Sequence, residues 1–170
     1  MTIPRTDLRL HGRQVSAVAL DYGGTISAAR EDHLLVQKGV DPQAAAPLHQ
    51  LAGLGLRLLL ATNATAAETR WPALQAAGVH ELFAVALISY SLNVRKDDPL
   101  FYDLVITAAR CRAAEILFVG DRIDYDVDAP MRAGMQACLV RPDGLRPGEL
   151  LPEGALMIVH ARELPAFLGR

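Results

Sequence analysis

Apolar and polar positions along the chain fall into a repeating pattern. Short runs of β-branched and aliphatic residues end on polar or charged ones, and stretches with helical spacing separate them. The runs predict strands at about 15–20, 56–61, 85–89, 115–119, 136–140 and 155–159, and the stretches between them predict helices at about 42–53, 66–77, 98–110, 125–133 and 162–168. Asp41-Pro42 reads as an N-cap followed by proline at the first helical position, and Gly78 and Gly134 read as helix stops. Strands alternating with helical patterns are the signature of an α/β fold with a parallel sheet covered on both faces. Arg141-Pro142-Asp143-Gly144, with Pro147 and Pro152, marks an irregular excursion before the last strand. With no repeat, low-complexity tract or linker, residues 1–170 read as a single domain.

Four of the apolar runs lead into chemistry-bearing residues. Val18-Ala19-Leu20 runs into Asp21-Tyr22-Gly23-Gly24-Thr25, Leu56 to Leu60 ends at Thr62-Asn63, Val85 to Ile88 leads on to Lys96, and Ile116 to Val119 ends at Gly120-Asp121. In open parallel sheets the ligand crevice lies beyond the carboxyl ends of the strands. A carboxylate held there near a divalent cation and facing a phosphate can attack phosphorus directly, which makes Asp21 the candidate nucleophile. Magnesium prefers oxygen ligands and takes one or two carboxylates plus phosphate and water, so Asp21 and Asp121 with the carbonyl of Gly23 would suffice. The bland reading of Asp121 to Asp128 is a turn and helix start rich in capping residues. Four of the chain's twelve aspartates fall in those eight residues, however, and a cap needs one. Thr62 and Asn63 precede a predicted helix, where a hydroxyl and helix amides can hold a phosphate; equally, Thr62 or Thr65 can cap that helix. Lys96 is one of two lysines beside fifteen arginines, and a compact ammonium suits a phosphoryl oxygen as a point charge. The competing reading is a solvated lysine before the Asp97-Asp98-Pro99 helix start.

The order acid, hydroxyl, lysine, acids resembles the haloacid dehalogenase superfamily, in which Asp-x-Asp-Gly-Thr, a strand-terminal Ser or Thr, a Lys and Gly-Asp-x-x-x-x-Asp supply the site. Gly120-Asp121-Arg122-Ile123-Asp124-Tyr125-Asp126 fits the last of these, and the match runs from about Val15 to Val140. The resemblance implies a three-layer Rossmann-like fold and a Mg2+-dependent phosphatase reaction through phospho-Asp21. It also implies Asp21, the Gly23 carbonyl and Asp121 as metal ligands with Asp126 supporting them, and Thr62, Asn63 and Lys96 holding the phosphoryl group.

Two departures shape that expectation. Phosphatases of this type carry a second Asp two residues after the nucleophile to protonate the leaving oxygen, and this chain has Gly23 there. Loss of general acid–base help typically removes about 10²–10⁴-fold in rate. A leaving group of low pKa would need little protonation, and His33 is the nearest titratable substitute, although an exposed flap residue is its default reading. A weakened member acting as a binding or scaffold protein and a phosphotransferase remain the alternatives to a hydrolase. Second, only 36 residues separate Thr25 from Thr62 and 33 separate Thr62 from Lys96, so a short flap at about 27–40 is the most that fits and no cap domain is expected. Capless relatives of this kind resemble enzymes that accept large substrates or use a neighbouring subunit as cover.

Composition narrows the partners. The chain is 51% hydrophobic, enough for a full core, and its net charge of −2 recommends no polyanion. The resemblance implies a phosphorylated substrate, small or macromolecular, as the partner; composition indicates no nucleic acid and no membrane and is compatible with a homo-oligomer. Cys111 and Cys138 form no framework or zinc pattern, which suits a reducing cytoplasm. Arg5, Asp7, Arg9, His11 and Arg13, without an apolar core between them, are unlike a signal peptide. His11, His49, His80 and His160 lack ligand spacing, and Trp71 and the tyrosines form no stacking array. Arg70, Arg95 and Arg122 lie near strand-end loops and could contact a substrate anion, but in so arginine-rich a chain the default role is solvated surface.

Overall fold

Alternate residues of each apolar run meet different layers, and this is what makes the runs strands. The computed structural model describes residues 8–10 and 12–168; the expectations resting on Arg5, Asp7 and His11 lie outside the described residues. Beyond Ser16 the described residues form eight strands, β1 (Ala17–Leu20), β2 (Ser27–Asp32), β3 (Gln37–Val40), β4 (Arg57–Thr62), β5 (Phe83–Ile88), β6 (Ile116–Gly120), β7 (Gln136–Val140) and β8 (Leu156–Ile158). Six of them form one sheet in the order β8-β7-β6-β1-β4-β5, every pairing parallel. These are the six expected strands. The other two, β2 and β3, pair as an antiparallel hairpin that occupies the stretch 27–40. A short antiparallel pair, Arg9–Leu10 with Arg13–Gln14, precedes the sheet.

The helices are α1 (Pro42–Gly53), α2 (Trp71–Ala76), α3 (Ser89–Leu92), α4 (Pro99–Ala109), α5 (Ala129–Arg132) and α6 (Leu164–Leu168). Asp41 caps α1 as expected, its carboxylate accepting from the Gln43 amide at 2.8 Å, and Pro42 fills the first turn, where no amide is needed. Asp98 and Pro99 repeat the device at α4.

One expected helix is much shorter than its pattern: α2 starts at Trp71, not near 66. Residues 63–70 form a loop instead. Pro72 has no amide to donate to residue 68 and its ring would strike that carbonyl. Glu68 turns back to accept from the Thr65 amide and hydroxyl, and Ser89 Oγ holds the amide of Ala64 at 3.0 Å. Ahead of α5, residues Ile123–Asp128 form a wide helical turn in which the Ala129 amide reaches five residues back to Asp124.

Side chains of Val18, Leu20, Leu58, Leu60, Leu117 and Val119 pack with Leu48 and Leu51 of α1, Leu74 of α2 and Leu164 of α6. Their neighbours Ala17, Ala19, Leu59, Ala61, Ile116 and Phe118 face Phe101, Tyr102 and Val105 of α4 on the other side. Small alanines on the strands leave room for the aromatic side chains, and each large side chain so buried contributes about 1.5–3 kcal/mol. The result is the three-layer α/β architecture expected. Among the described residues, both places where a cap would be inserted hold only the β2–β3 hairpin, single helices, short helical turns and strands of the sheet. No described helix is long and apolar enough to cross a membrane.

Candidate active site

Strand register alone brings the chemistry together. Leu20 pairs with Leu60 on one side and Val119 on the other, and the Asp21 amide donates to the Val119 carbonyl at 2.8 Å. Asp21, Thr62 and Asp121 therefore stand side by side at the carboxyl edge of β1, β4 and β6. Strand alternation then sorts the side chains: Asp21 follows Ala17 and Ala19 toward α4, whereas Tyr22 follows Val18 and Leu20 to the opposite face.

Lys96 enters from the α4 side. Its ammonium donates to Asp21 Oδ1 and to Asp126 Oδ1, both at 2.7 Å, and lies 5.3 Å from the Phe118 ring centroid. The backbone of Lys96 is fixed at both ends: its amide donates to Asn63 Oδ1 at 3.1 Å, and the Tyr102 hydroxyl lies 3.0 Å from its carbonyl and 2.6 Å from that of Tyr125. The lysine side chain is 3% exposed, which excludes a solvated loop position. Burial alone would lower its pKa, but Asp21 and Asp126 outweigh burial and hold the ammonium above its ordinary range. Burial raises the Asp126 carboxyl to about 6 in spite of Lys96. Asp121 is also raised, first by burial and then by the nearby charge of Asp21. Three carboxylates around one ammonium leave the centre negative and short of a cation.

Those carboxylates suit a divalent ion. Asp21, Asp121 and Asp126 each offer an oxygen, all within 4.8 Å of one another, and hard oxygen donors are what magnesium prefers. Asp126 already has both oxygens engaged, Oδ1 by Lys96 and Oδ2 by the Arg122 amide at 3.0 Å, which fits a supporting part. Gly24 makes this closeness possible: its φ is +70°, and a Cβ there would stand 2.5 Å from Asp121 Oδ2. Gly120 does the same for Asp126, since a Cβ on Gly120 would overlap the Asp126 carboxylate. Gly120→Ala is accordingly expected to cost about 1–3 kcal/mol of stability, the range for overpacking, and to pull Asp126 off Lys96. Denaturant unfolding measures the first effect and magnesium titration the second.

A cavity of ≈ 280 Å³ gathers Asp21, Gly23, Thr62, Asn63, Lys96, Asp121 and Asp126 with Arg70, Arg95, Arg122 and Tyr125. Every residue expected at the site thus lines one space. Thr62 is buried, its hydroxyl 3.2 Å from the Asn63 carbonyl, and it caps no helix because α2 begins nine residues later. Asn63 lines the cavity while its carboxamide oxygen serves the Lys96 amide. His33 does not join them; it is exposed on the β2–β3 turn.

Two residues were not foreseen in these positions. Arg70, expected on the solvated surface, is 6% exposed and stacks over Tyr22 at 4.6 Å; Arg95 and Arg122 are exposed, as expected, and pair with Asp97 and Asp124. Arg141, just past β7, donates through Nη1 to the Asp121 carbonyl and pairs with Glu149 at 2.7 Å, steadying the acidic loop from the excursion before β8. The available signal for Arg141 was its place immediately beyond a buried strand, Gln136–Val140.

Fold and site define a parallel α/β protein whose sheet edge presents a lysine-bridged cluster of carboxylates. The chain belongs to the haloacid dehalogenase-like hydrolases, whose family profile matches residues 8–134. It is 33% identical over 103 residues to the glyceraldehyde 3-phosphate phosphatase of Methanopyrus kandleri, covering 59% of this chain and 42% of that protein. It is 32% identical over 123 residues to the phosphoserine phosphatase of Thermus thermophilus, covering 72% and 49%. The chain thus spans about half the length of the curated relatives it matches. A crystal structure of an uncharacterized protein from Listeria monocytogenes serotype 4b superposes with a TM-score of 0.72 at 22% identity, over 89% of this chain and 96% of that one, a likeness of fold.

Proposed function

We propose that the chain hydrolyses a phosphate ester or anhydride through an aspartyl-phosphate on Asp21, with magnesium as cofactor. The Lys96 ammonium 2.7 Å from both Asp21 and Asp126, beside the Asp121 carboxylate, carries this reading. The names of the two phosphatase relatives agree with it.

Lys96 holds Asp21 Oδ1, which fixes the orientation of the carboxylate and leaves Oδ2 directed to other partners. The Asp21 carboxylate attacks phosphorus as the bond from phosphorus to the leaving oxygen breaks. Thr62 and Lys96 hold the phosphoryl oxygens and Asn63 keeps Lys96 in place, so the charge that develops meets donors already oriented. Water then attacks the phosphorus of phospho-Asp21, releases phosphate and restores the carboxylate. Asp21, the Gly23 carbonyl and Asp121 would hold magnesium, with Asp126 supporting; bound there, it supplies neutralisation of the phosphoryl charge.

No side chain at position 23 protonates the leaving oxygen, so turnover is expected to be fastest for phosphates with leaving groups of low pKa and slower, but not absent, for alkyl phosphates. The phosphorylated substrate is the partner assigned, residues 1–170 act as one domain with the hairpin as flap, and the cytoplasm is the compartment. Phosphate release from a broad phosphoester panel, with magnesium and with chelator, tests this. Release that magnesium supports and the chelator abolishes bears the reading out; no release from any ester removes it.

A Cβ at Gly23 meets nothing within 4 Å, and its φ lies outside the left-handed region, so an aspartate is accommodated there. Gly23→Asp is expected to raise turnover of alkyl phosphates by about 10²-fold, the lower end of general acid–base catalysis, with little change for an aryl phosphate. Steady-state rates on the two ester types provide the comparison. The missing acid also favours a second reading, a site that binds or transfers phosphate. It would show magnesium and phosphate binding by calorimetry without product, or transfer to an acceptor without net hydrolysis.

A further inference from the structure

Arg70 is the buried charged group of the cavity that the reaction above leaves unused; Arg95 and Arg122, which also line it, are exposed. Its guanidinium is buried yet incompletely paired. Nη1 donates to Glu68 Oε1 at 3.2 Å, Nε has no partner, and Nη2 makes no hydrogen bond among the described residues. In a guanidinium, Nε–H and one Nη–H point the same way from one edge, which matches the two oxygens of a carboxylate. That edge is the open one here, because the other nitrogen is given to Glu68.

The rest of the residue is held in place at a cost. Arg70 has φ +67°, a left-handed conformation uncommon for a residue with a Cβ. Its amide donates to Gln37 Oε1 of the hairpin at 3.2 Å, and its guanidinium lies over the Tyr22 ring at 4.6 Å. Tyr22 is fixed in turn by its hydroxyl, which donates to the Lys38 carbonyl at 2.6 Å. Strained backbone persists where the surroundings over-determine it, and such places cluster at ligand sites. Because Tyr22 and Asp21 point to opposite faces of β1, Arg70 stands on the hairpin side of the cavity and Lys96 on the α4 side. A phosphoryl group held by Asp21, Thr62 and Lys96 would therefore leave Arg70 to the rest of the substrate. The volume of ≈ 280 Å³ suits a small molecule, being just under the range of drug-sized pockets.

We propose that Arg70 determines specificity, receiving through its Nε–Nη2 edge the carboxylate of a small phosphorylated hydroxy or amino acid whose phosphoryl group lies at Asp21. This rests on the phosphatase reading for the place of the phosphoryl group and goes beyond it in naming the substrate class.

Two ester pairs isolate the carboxylate: O-phosphoserine with O-phosphoethanolamine, and 3-phosphoglycerate with glycerol 3-phosphate. The wild type, with magnesium, is expected to favour the acid of at least one pair by about 10- to 100-fold in kcat/KM, the range of a charge-assisted hydrogen bond. Arg70→Gln is expected to bring that ratio near one by loss on the acid alone, and Arg70→Lys to restore part of it. Ratios near one in the wild type for both pairs would overturn the proposal without need of a folded variant. Equal loss on acid and neutral ester in Arg70→Gln would overturn it as well, placing Arg70 on the phosphoryl group. If no ester is turned over, the phosphatase reading has failed separately, and the same pairs are compared as dissociation constants by calorimetry. A preference for the acid that Arg70→Gln abolishes then supports the carboxylate site; equal binding removes it.

Discussion

Asp21→Asn abolishes turnover while leaving the fold in place. The amide matches the carboxylate in size and can still accept the Lys96 ammonium through its oxygen, now 2.7 Å away, but it is no nucleophile toward phosphorus. Removal of a nucleophile typically costs about 10⁴–10⁶-fold in kcat. Stability should change little, because the negative charge of Asp21 is one of the causes that raise the neighbouring Asp121 carboxyl, and its loss relieves that repulsion. Phosphate release beside a circular-dichroism melt measures both. A variant as active as the wild type would remove Asp21 as the nucleophile.

Lys96→Met has the largest expected effect on stability. Methionine fills the stem's space against Phe118 but leaves Asp21 and Asp126 without the only cation among the described residues that pairs with either, and breaking a buried ion pair by removing one partner costs about 3–5 kcal/mol. In a chain of 170 residues that is a loss of about 6–20 °C in Tm. The effect depends on pH in a definite direction. Burial raises the Asp126 carboxyl from 3.8 to about 6, and Lys96 is the main influence lowering it, so the variant's carboxyl titrates higher still. A folded pKa above the unfolded one means that stability is fully present below the unfolded value and lost as pH rises through the folded one. The wild type without metal therefore loses stability between pH 3.8 and about 6, and the variant goes on losing it above that. Thermal melts in chelator at pH 4.5 and 8 should show a small deficit at the first and the full deficit at the second. Equal deficits at both would assign the loss to packing and not to unpaired carboxylates.

Much of the site was legible because its residues sit on the most regular parts of the chain. Asp21, Thr62 and Asp121 end apolar runs, and in a parallel sheet such ends converge whatever the side chains are. Lys96 stood out by composition, and the tertiary structure explains why lysine is used: the slot between Asp21 and Asp126, above Phe118, takes a narrow stem and a compact ammonium. What failed was local. The helical spacing at 66–77 was interrupted by Pro72 and by the Thr65–Glu68 turn, so residues 63–70 became a loop that carries Arg70 into the cavity. Arginine abundance hid Arg70, since its burial depends on Tyr22 and Gln37, 48 and 33 positions away in the chain. Arg141 and Glu149 were hidden likewise, in an excursion read only as irregular.

The sequence by itself determined the layer architecture, the strand ends and the identity of the carboxylates and lysine, because period, capping and strand-terminal polarity are local properties. Only the tertiary structure decided which groups are buried and paired. Lys96 between two carboxylates, Asp126 against a glycine with no Cβ, and Arg70 with one edge open all depend on distances between distant segments. Those distances follow from how distant segments pack against one another, which no local pattern encodes.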